Sequence, residues 1–243
     1  EAGMKREDIA KDFYIEDHAL LYGLMGRYAE ELCGKAGLQA LEKGTILYGK
    51  ERGLRMAMRA QRNGDELSQR NYLIYGEWSD PRGLCSSRTA SMSPIYRTET
   101  LVCEWCRTWE RYDLMRYGRI YCSHIDKSLV KGFNPENELD MDGSLSKGDP
   151  CCGFNWIGAD YGDEASASAD MEKKAKLSES NVRDFLYHTA HLYSALRRCF
   201  LLELGLSAAG SICGSAMKEY SELLGSDKAA AILSEADQDF LHI

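Results

Sequence analysis

No stretch of the 243-residue sequence is apolar over the roughly 20 residues that a membrane-spanning helix needs. Basic residues are not in excess either: the net charge is −8, which disfavours nucleic acids and anionic membranes as partners. Residues 1–13 are charged and lack the apolar core of a secretory signal. These absences predict a cytoplasmic protein that binds a small molecule, with no nucleic acid and no membrane as partner. A homo-oligomer stays open, because an aromatic-rich stripe (Trp105, Trp109, Tyr112) suits a dimer interface and a core equally well.

The nine cysteines show no regular disulfide framework, and without a secretory signal we expect reduced thiols. Cys103-x-x-Cys106 together with Cys151-Cys152 supplies four thiols, the number for a structural zinc site. However, the sequence has no second CxxC, and adjacent cysteines in a strand point to opposite faces. Buried thiols are therefore the favoured interpretation.

The periodicity of apolar residues predicts an α+β fold in a single domain over residues 1–243. Helical spacing dominates residues 1–64, where Gly34 and Gly37 separate two helices, and residues 182–243. Residues 71–156 predict a small mixed or antiparallel sheet flanked by these helices. Its strand-like runs are 72–78, 95–102, 138–141 and 152–156. A stripe from Val102 to Arg116 predicts a helix that ends at Gly118, and residues 159–181 predict an exposed linker with at most a frayed helix.

Three helical stripes carry polar residues that need an explanation. Arg52, Arg55, Arg59 and Arg62 recur every three or four residues, which places four guanidiniums side by side. A solvated outer face is the favoured interpretation of this stripe, and a face turned to an anion is the alternative. His18 and His188 lie on apolar stripes, where a satisfied core histidine is the commoner outcome. The alternative is that both helices line one pocket.

Most candidate catalytic side chains lie between residues 121 and 156. Cys122, His124 and Asp126 lie at i, i+2 and i+4, so the thiol and the carboxylate share a face in a strand or a helix, with His124 as a base. The favoured interpretation of the triplet alone is structural: a buried thiol, a surface histidine and an aspartate at the positive end of a helix. A thiol needs such a proton acceptor, because it is mostly protonated at pH 7. Asp149 lies on a Gly-Asp-Pro turn, where a carboxylate either bonds its own backbone or faces the same pocket as Asp126. Two carboxylates suit acid–base chemistry or a hard divalent metal.

Three blocks in this order carry a family resemblance: YCxxxD (Tyr121, Cys122, Asp126), GFNP (132–135) and GDxxCxF (Gly148, Asp149, Cys152, Phe154). Two upstream blocks accompany them, HALLYG with His18 and YGxxRG with Tyr48, Gly49, Arg52 and Gly53. Over most of residues 15–156 the sequence thus resembles the L-2-amino-thiazoline-4-carboxylic acid hydrolase family. The resemblance implies a hydrolase that opens a C–N or C=N bond of a small cyclic, carboxylated substrate. In the reaction that names the family, water adds to a C=N carbon and a C–S bond then breaks.

The resemblance also implies roles for particular residues. Cys122 or Cys152 would be the nucleophile or a substrate contact, and Asp126 and Asp149 would be acid–base or orienting groups. Arg52 would hold a substrate carboxylate. Further substrate-binding candidates are His18, Tyr48, His124 and Asn134. No cofactor is certain; the resemblance raises a divalent metal such as manganese, for which the sequence shows no clear ligand set.

Two alternatives to the hydrolase stay open. A C–C or C–S lyase would use the same acids and thiols, so only its products would separate it from a hydrolase. A non-catalytic sensor would bind a small molecule or haem in an apolar pocket without convergent carboxylates. The hydrolase hypothesis instead predicts that the two carboxylates and two thiols converge in a cleft that Arg52 reaches.

Overall fold

The computed structural model describes residues 6–243, and these residues group into two compact units. The first unit contains the chain up to Tyr48 together with Glu104–His124 and Arg183–Phe240. The second contains Gly49–Cys103, Ile125–Val182 and Leu241–Ile243. The single domain expected from the sequence stays a prediction. Within residues 6–243, no helix combines the length and the apolar character that a bilayer crossing requires.

All strands lie between residues 86 and 157 of the sequence, and helices predominate toward both ends of the chain. They are α1 (Arg6–Ala10), α2 (Ile15–Arg62), α3 (Gln69–Ile74), α4 (Glu104–Arg111), α5 (Met115–Phe133), α6 (Glu164–Asn181), α7 (Phe185–Leu204), α8 (Leu206–Leu224) and α9 (Ser226–Glu235). The long α2 is broken at Gly34, whose φ of 57° and ψ of −133° are not helical. A residue without a side chain adopts this backbone conformation readily. The break predicted there from the sequence is therefore confirmed.

The sheet has four antiparallel strands: β1 (Ser86–Ser91), β2 (Tyr96–Val102), β3 (Glu138–Asp142) and β4 (Cys152–Ile157). Their order across the sheet is β1-β2-β4-β3. The register pairs Thr98 with Phe154 and Thr100 with Cys152. The α+β class and three of the predicted strands, β2, β3 and β4, are thus confirmed.

The strand predicted at residues 72–78 is wrong. Its first half belongs to α3, because the Ser68 side chain caps this helix by accepting a hydrogen bond from the Asn71 amide at 3.2 Å. Tyr72 and Ile74 are buried, so packing outweighs the preference of these residues for strands. The fourth strand is instead β1, whose polar sequence SSRTAS is largely exposed and has no alternation to reveal it.

Gly118 does not end a helix, contrary to the prediction. Helix α4 ends at Arg111, α5 begins at Met115, and Gly118 lies inside α5. A Cβ atom added at Gly118 would overlap the ring of Trp109. The glycine therefore permits close packing in the first unit, and the turn comes earlier, at Asp113 with a φ of 54°. Residues 164–181, expected to be an exposed segment, form α6, which is mostly exposed and begins at an Asp163 cap.

In the second unit, the C-terminal part of α2 and that of α5 approach until their backbones nearly touch. A Cβ atom added at Gly53 would overlap the carbonyl oxygen of Leu129, and one added at Gly132 would overlap that of Lys50. Only glycine fits at such a crossing, because any side chain would push the helices apart. The crossing brings the faces that carry Arg52 and Asp126 close to each other.

Candidate functional site

A cluster of buried charged residues occupies the second unit. It consists of Arg52, Arg55, Arg59 and Glu77, and we call it the buried arginine cluster; the exposed fractions are 7%, 0%, 5% and 0%. Glu77 lies in the segment between α3 and β1. Its Oε1 accepts hydrogen bonds from Arg55 Nε and Arg59 Nη1, both at 2.6 Å, and its Oε2 accepts one from Arg55 Nη2 at 2.7 Å. The Nε atom of Arg52 lies 3.5 Å from Oε2.

This cluster overturns the favoured interpretation of the arginine stripe as a solvated face. Three of the four arginines are buried, whereas Arg62 is exposed and donates to the Ile243 carbonyl at 2.8 Å. The alternative in the sequence, a face turned to an anion, describes the other three, and Glu77 is an anion that they face. Sequence reasoning missed Glu77 because its partners lie 18 or more residues away in the chain. The only local signal is a carboxylate between aromatic residues, in YGEW.

Asp126 lies beside this cluster on α5, with its side chain half-buried. Burial raises the pKa of Asp126 to about 6; the nearby Cys103 thiol adds to the rise, and the Arg52 guanidinium opposes it. A carboxyl group with such a pKa exchanges its proton near neutral pH, which suits acid–base chemistry. Asp126 also raises the pKa of the buried Tyr72 hydroxyl, after the effect of burial itself. Arg52, Tyr72, Cys103 and Asp126 therefore lie within electrostatic range of one another.

Aromatic rings connect this region to the sheet. Tyr72 packs against Phe133 of α5 and Trp156 of β4, with ring centroids 5.7 Å apart in each pair. Trp156 is fixed in turn by a hydrogen bond from its Nε1 to Thr98 Oγ1 at 3.0 Å. The helix that carries Asp126 and the strand that carries Cys152 are thus joined through the Tyr72 ring.

Two of the predicted catalytic residues, Asp149 and Cys152, meet at one turn. The turn is a short 3-10 helix, Leu145–Lys147. The Ser144 amide donates to Asp149 Oδ2 at 2.8 Å, and the Leu145 amide donates to Cys152 Sγ at 3.2 Å. Both side chains therefore hold the start of the turn, and their catalytic role stays a prediction.

Asn134 has a comparable position at the end of α5. Its Nδ2 donates to the Leu67 carbonyl at 2.8 Å, and its Oδ1 accepts from the Glu136 amide at 3.0 Å. These bonds fasten the GFNP segment to the chain before α3. Substrate binding by Asn134 stays a prediction.

Cys122 and His124 belong to the first unit and lie on α5. Residues two apart on a helix point in different directions, so the arrangement in which Cys122, His124 and Asp126 share a strand face does not occur. The half-buried thiol of Cys122 lies near Tyr22 and contributes to raising the pKa of that hydroxyl. His124 Nε2 lies 3.4 Å from Glu42 Oε1. The convergence of all four predicted catalytic residues in one cleft stays a prediction.

His18 and Tyr48 form a hydrogen-bond chain in the core of the first unit. Trp105 Nε1, which can only donate, bonds to His18 Nδ1 at 3.2 Å. The ring proton of neutral His18 is therefore on Nε2, which donates to Tyr48 Oη at 3.1 Å. The Tyr48 hydroxyl then donates to the His188 carbonyl at 3.4 Å. His18 is 1% exposed, so it is the satisfied core histidine that the sequence favours, and its role toward a substrate stays a prediction.

A metal site in a protein needs several converging His, Cys, Asp or Glu side chains. Within residues 6–243, no group of three or more His, Cys, Asp or Glu side chains is arranged to hold a metal ion, and the four-thiol zinc hypothesis finds no support among them. No disulfide bond joins any of the nine cysteines, all of which lie in this range.

The model of the L-2-amino-thiazoline-4-carboxylic acid hydrolase family matches residues 14–156, which is more than half of the chain. The matched range includes the buried arginine cluster, Cys103, Asp126, Asp149 and Cys152. Comparisons with curated proteins and with solved structures gave no significant match. The family resemblance carried by the sequence motifs is confirmed, and the chain belongs to the L-2-amino-thiazoline-4-carboxylic acid hydrolase family.

Proposed function

We propose that this chain is a hydrolase that adds water to the C=N carbon of a small cyclic amidine bearing a carboxylate. The reference substrate is L-2-amino-thiazoline-4-carboxylate, after the name of the family. The observation that carries the proposal is a half-buried carboxyl group, Asp126, whose pKa is raised to about 6 and which lies within electrostatic range of the Arg52 guanidinium in the family-matched region. An anion-binding group and an acid–base group are the two parts that this reaction requires.

In this proposal Arg52 binds the substrate carboxylate. A guanidinium offers two parallel N–H donors, whose spacing matches the two oxygens of a carboxylate. Arg52 is mostly buried, so a salt bridge formed there is shielded from water and from salt. Binding of the substrate carboxylate would also orient the ring, because the carboxylate and the amidine carbon of a small cyclic substrate are a fixed distance apart.

Asp126 serves as the acid–base group in both halves of the reaction. Its carboxylate takes a proton from water as the oxygen attacks the C=N carbon, and it delivers this proton to the ring nitrogen. It then takes the proton of the new hydroxyl group as a C=O bond forms and the C–S bond breaks, and it passes that proton to the departing sulfur. The product is N-carbamoyl-cysteine, and the carboxylate is regenerated. A pKa near 6 suits both tasks, because the group is neither a very weak base nor a very weak acid near neutral pH.

The roles of the thiols and of Asp149 in the proposed reaction are tested by substitution. Cys122 and Cys152 are the nucleophile candidates implied by the family motifs, and Cys103 is the thiol that lies within electrostatic range of Asp126. A cysteine nucleophile would replace water in the first attack, and water would then release the product in a second step. Measured activity of Cys103→Ala, Cys122→Ala and Cys152→Ala distinguishes these routes.

The test is turnover of L-2-amino-thiazoline-4-carboxylate in H₂¹⁸O, with and without added manganese, and with mass spectrometry of the products. Wild type should give N-carbamoyl-cysteine that carries one ¹⁸O atom. Asp126→Asn should lower kcat by about 100-fold, the usual contribution of a general acid–base group. The matched control is Arg62→Gln, which changes the exposed arginine of the same stripe and should leave turnover unaltered.

Three outcomes would contradict the proposal. Folded wild type that consumes neither this compound nor a panel of cyclic amidines, ureides and thiazolines would exclude the substrate class. Products without the oxygen atom of water would instead indicate a lyase on the same scaffold. A visible absorption band of the purified protein would point to the haem-binding alternative.

A further inference from the structure

Glu77 is a fully buried carboxylate, and burial of a charge raises the free energy of the folded state. Its side chain is 0% exposed, although it lies in a segment that belongs to neither a helix nor a strand. An isolated carboxylate at such a position would be strongly destabilising unless cations and hydrogen bonds compensate for the lost water. The compensation comes from α2, because its three buried arginines all lie within 3.5 Å of the Glu77 oxygens.

The three arginines differ in how they meet Glu77. Arg55 binds both carboxylate oxygens with two parallel bonds, at 2.6 and 2.7 Å, and Arg59 adds a third bond at 2.6 Å. Arg52 lies at 3.5 Å, an ion-pair separation rather than a hydrogen bond at this pair of atoms. Arg55 and Arg59 therefore anchor Glu77 to α2, whereas Arg52 is drawn toward Glu77 by charge.

The charge of Arg52 also acts on a second acid. It opposes the rise in the pKa of Asp126, and it acts on the Tyr72 hydroxyl in the same region. Arg52 therefore forms an ion pair with an anchored carboxylate and also acts electrostatically on the proposed acid–base group. Without the negative charge of Glu77, three guanidiniums on one stripe of α2 would repel one another, so Arg52 should move away from Arg55 and Arg59.

We propose that Glu77 is a positioning residue that holds Arg52 beside Asp126 and thereby makes the site select carboxylated substrates. This inference rests on the proposed function and concerns the same site. Glu77 takes no part in bond making or breaking. Its loss should therefore reduce the preference for a carboxylated substrate and leave the chemical step of a bound substrate nearly unaltered.

One experiment measures this preference as a ratio. The kcat/KM for L-2-amino-thiazoline-4-carboxylate is divided by that for 2-amino-2-thiazoline, which lacks the carboxylate. Glu77→Gln, a nearly isosteric change, should lower the ratio by about 10-fold, mainly through KM, since a charge-assisted contact contributes about that factor. Arg62→Gln should leave the ratio unchanged. A merely structural role of Glu77 would lower both rates together, and an unchanged ratio in Glu77→Gln would overturn the proposal.

A second readout needs no turnover. The ¹⁵Nε–¹Hε resonance of Arg52, assigned by its loss in Arg52→Lys, reports the environment of the guanidinium. It should shift and exchange faster with water in Glu77→Gln, and it should be unaffected in Arg62→Gln. An unshifted resonance would overturn the positioning role whatever the kinetics show. If the resonance shifts in Glu77→Gln but the wild-type protein turns over neither compound, the positioning of Arg52 is supported and the proposed function is contradicted.

Glu77→Gln places an amide among buried guanidiniums and risks unfolding the chain. Glu77→Asp keeps the charge and shortens the side chain by one methylene, so it cannot reach all three arginines as before. It should shift the Arg52 resonance and lower the substrate ratio less than Glu77→Gln does. A folded Glu77→Asp with wild-type values in both measurements would overturn the proposal equally.

Discussion

The Nε atom of Arg52 lies 3.5 Å from Oε2 of Glu77, whereas Arg55 Nε and Arg59 Nη1 each lie 2.6 Å from Oε1 of the same carboxylate. One acid thus meets three cations at two different separations. The close pair of contacts holds the segment between α3 and β1 onto α2. The longer contact is that of Arg52, whose charge also acts on Asp126. Arg55 and Arg59 therefore form the structural part of the cluster, and Arg52 is the part that the proposed function uses for substrate binding.

Loss of Arg55 should destabilise the fold. Arg55→Met removes the bidentate partner of a buried carboxylate, and breaking such a pair costs about 3–5 kcal/mol of unfolding free energy. Arg62→Met, on the exposed end of the same stripe, should cost no more than about 0.5 kcal/mol. Urea unfolding followed by circular dichroism measures both values. Equal stabilities of the two variants would contradict the burial of charge at Arg55.

Because of Asp126, the free energy of unfolding should fall as the pH rises from about 4 to about 7. Its pKa in the folded chain, about 6, exceeds the ordinary value of 3.8, so the folded state retains the proton over a range in which the unfolded state has lost it. The contribution of Asp126 is therefore fully present below about pH 3.8 and is lost as the pH rises through about 6. Asp126→Asn should be more stable than wild type at pH 7, by up to about 3 kcal/mol, and the difference should vanish near pH 4.

Asp126→Asn should lower activity, although it should raise stability at pH 7. The kcat/KM of wild type should rise with pH through about 6, because the carboxylate form of Asp126 is the base, and Asp126→Asn should be nearly inactive at every pH. A gain in stability that accompanies a loss of activity is typical of functional residues. Chemical denaturation and pH–rate profiles of the two proteins provide the measurement. An active Asp126→Asn would remove Asp126 from the mechanism.

The crossing of α2 and α5 should tolerate no side chain. Gly53→Ala brings a methyl group onto the Leu129 carbonyl oxygen, so we expect a loss of more than about 2 kcal/mol in unfolding free energy. Gly210→Ala, inside α8, meets no atom within 4 Å and should stabilise the chain by up to about 1 kcal/mol through helix propensity. Thermal unfolding compares the two. A stable Gly53→Ala would mean that the helices do not approach as closely as described.

Asp149 allows its turn role and its predicted catalytic role to be separated. Asp149→Asn keeps an oxygen that can accept from the Ser144 amide, whereas Asp149→Ala removes the acceptor and should cost about 1 kcal/mol of stability. The family motif predicts an acid–base group at this position, so turnover should fall in both variants. Full turnover by Asp149→Asn would assign Asp149 to the turn alone.

His18 should be a single, neutral tautomer. The donor Trp105 Nε1 requires an acceptor at His18 Nδ1, which leaves the proton on Nε2 facing Tyr48. Nitrogen NMR of the imidazole distinguishes the two tautomers and the charged form. We expect the Nε2–H form near pH 7 and a mixture of forms in Trp105→Phe. A proton on Nδ1 in wild type would contradict the hydrogen-bond chain.

Local patterns in the sequence predicted the parts of the fold that local physics decides. Alternation identified β3 and β4, and Gly34 marked the break in α2. Residues 72–78 were misassigned because a helix cap at Ser68 and burial by distant residues outweigh strand propensity. β1 was missed because an exposed strand of polar residues has no apolar face to reveal it.

The candidate site was predictable only in part, for the same reason. The family motifs include Asp126 and Arg52, which lie within electrostatic range of each other, but no pattern of spacing joins Arg55 to Glu77, 22 residues further along. The raised pKa of Asp126 likewise depends on burial and on Cys103, which lie outside its local sequence. Contacts between distant segments, rather than motifs, decided whether the arginine stripe met water or a carboxylate.

The glycine crossing of α2 and α5 constrains which sequence changes this fold accepts. Positions 53 and 132 admit no side chain, so neither mutation nor natural drift can widen the spacing between the helices there without loss of the fold. Directed evolution toward a larger or differently shaped substrate should therefore leave both glycines fixed. The accepted changes should accumulate at exposed positions outside this crossing, such as Pro81 and Arg82.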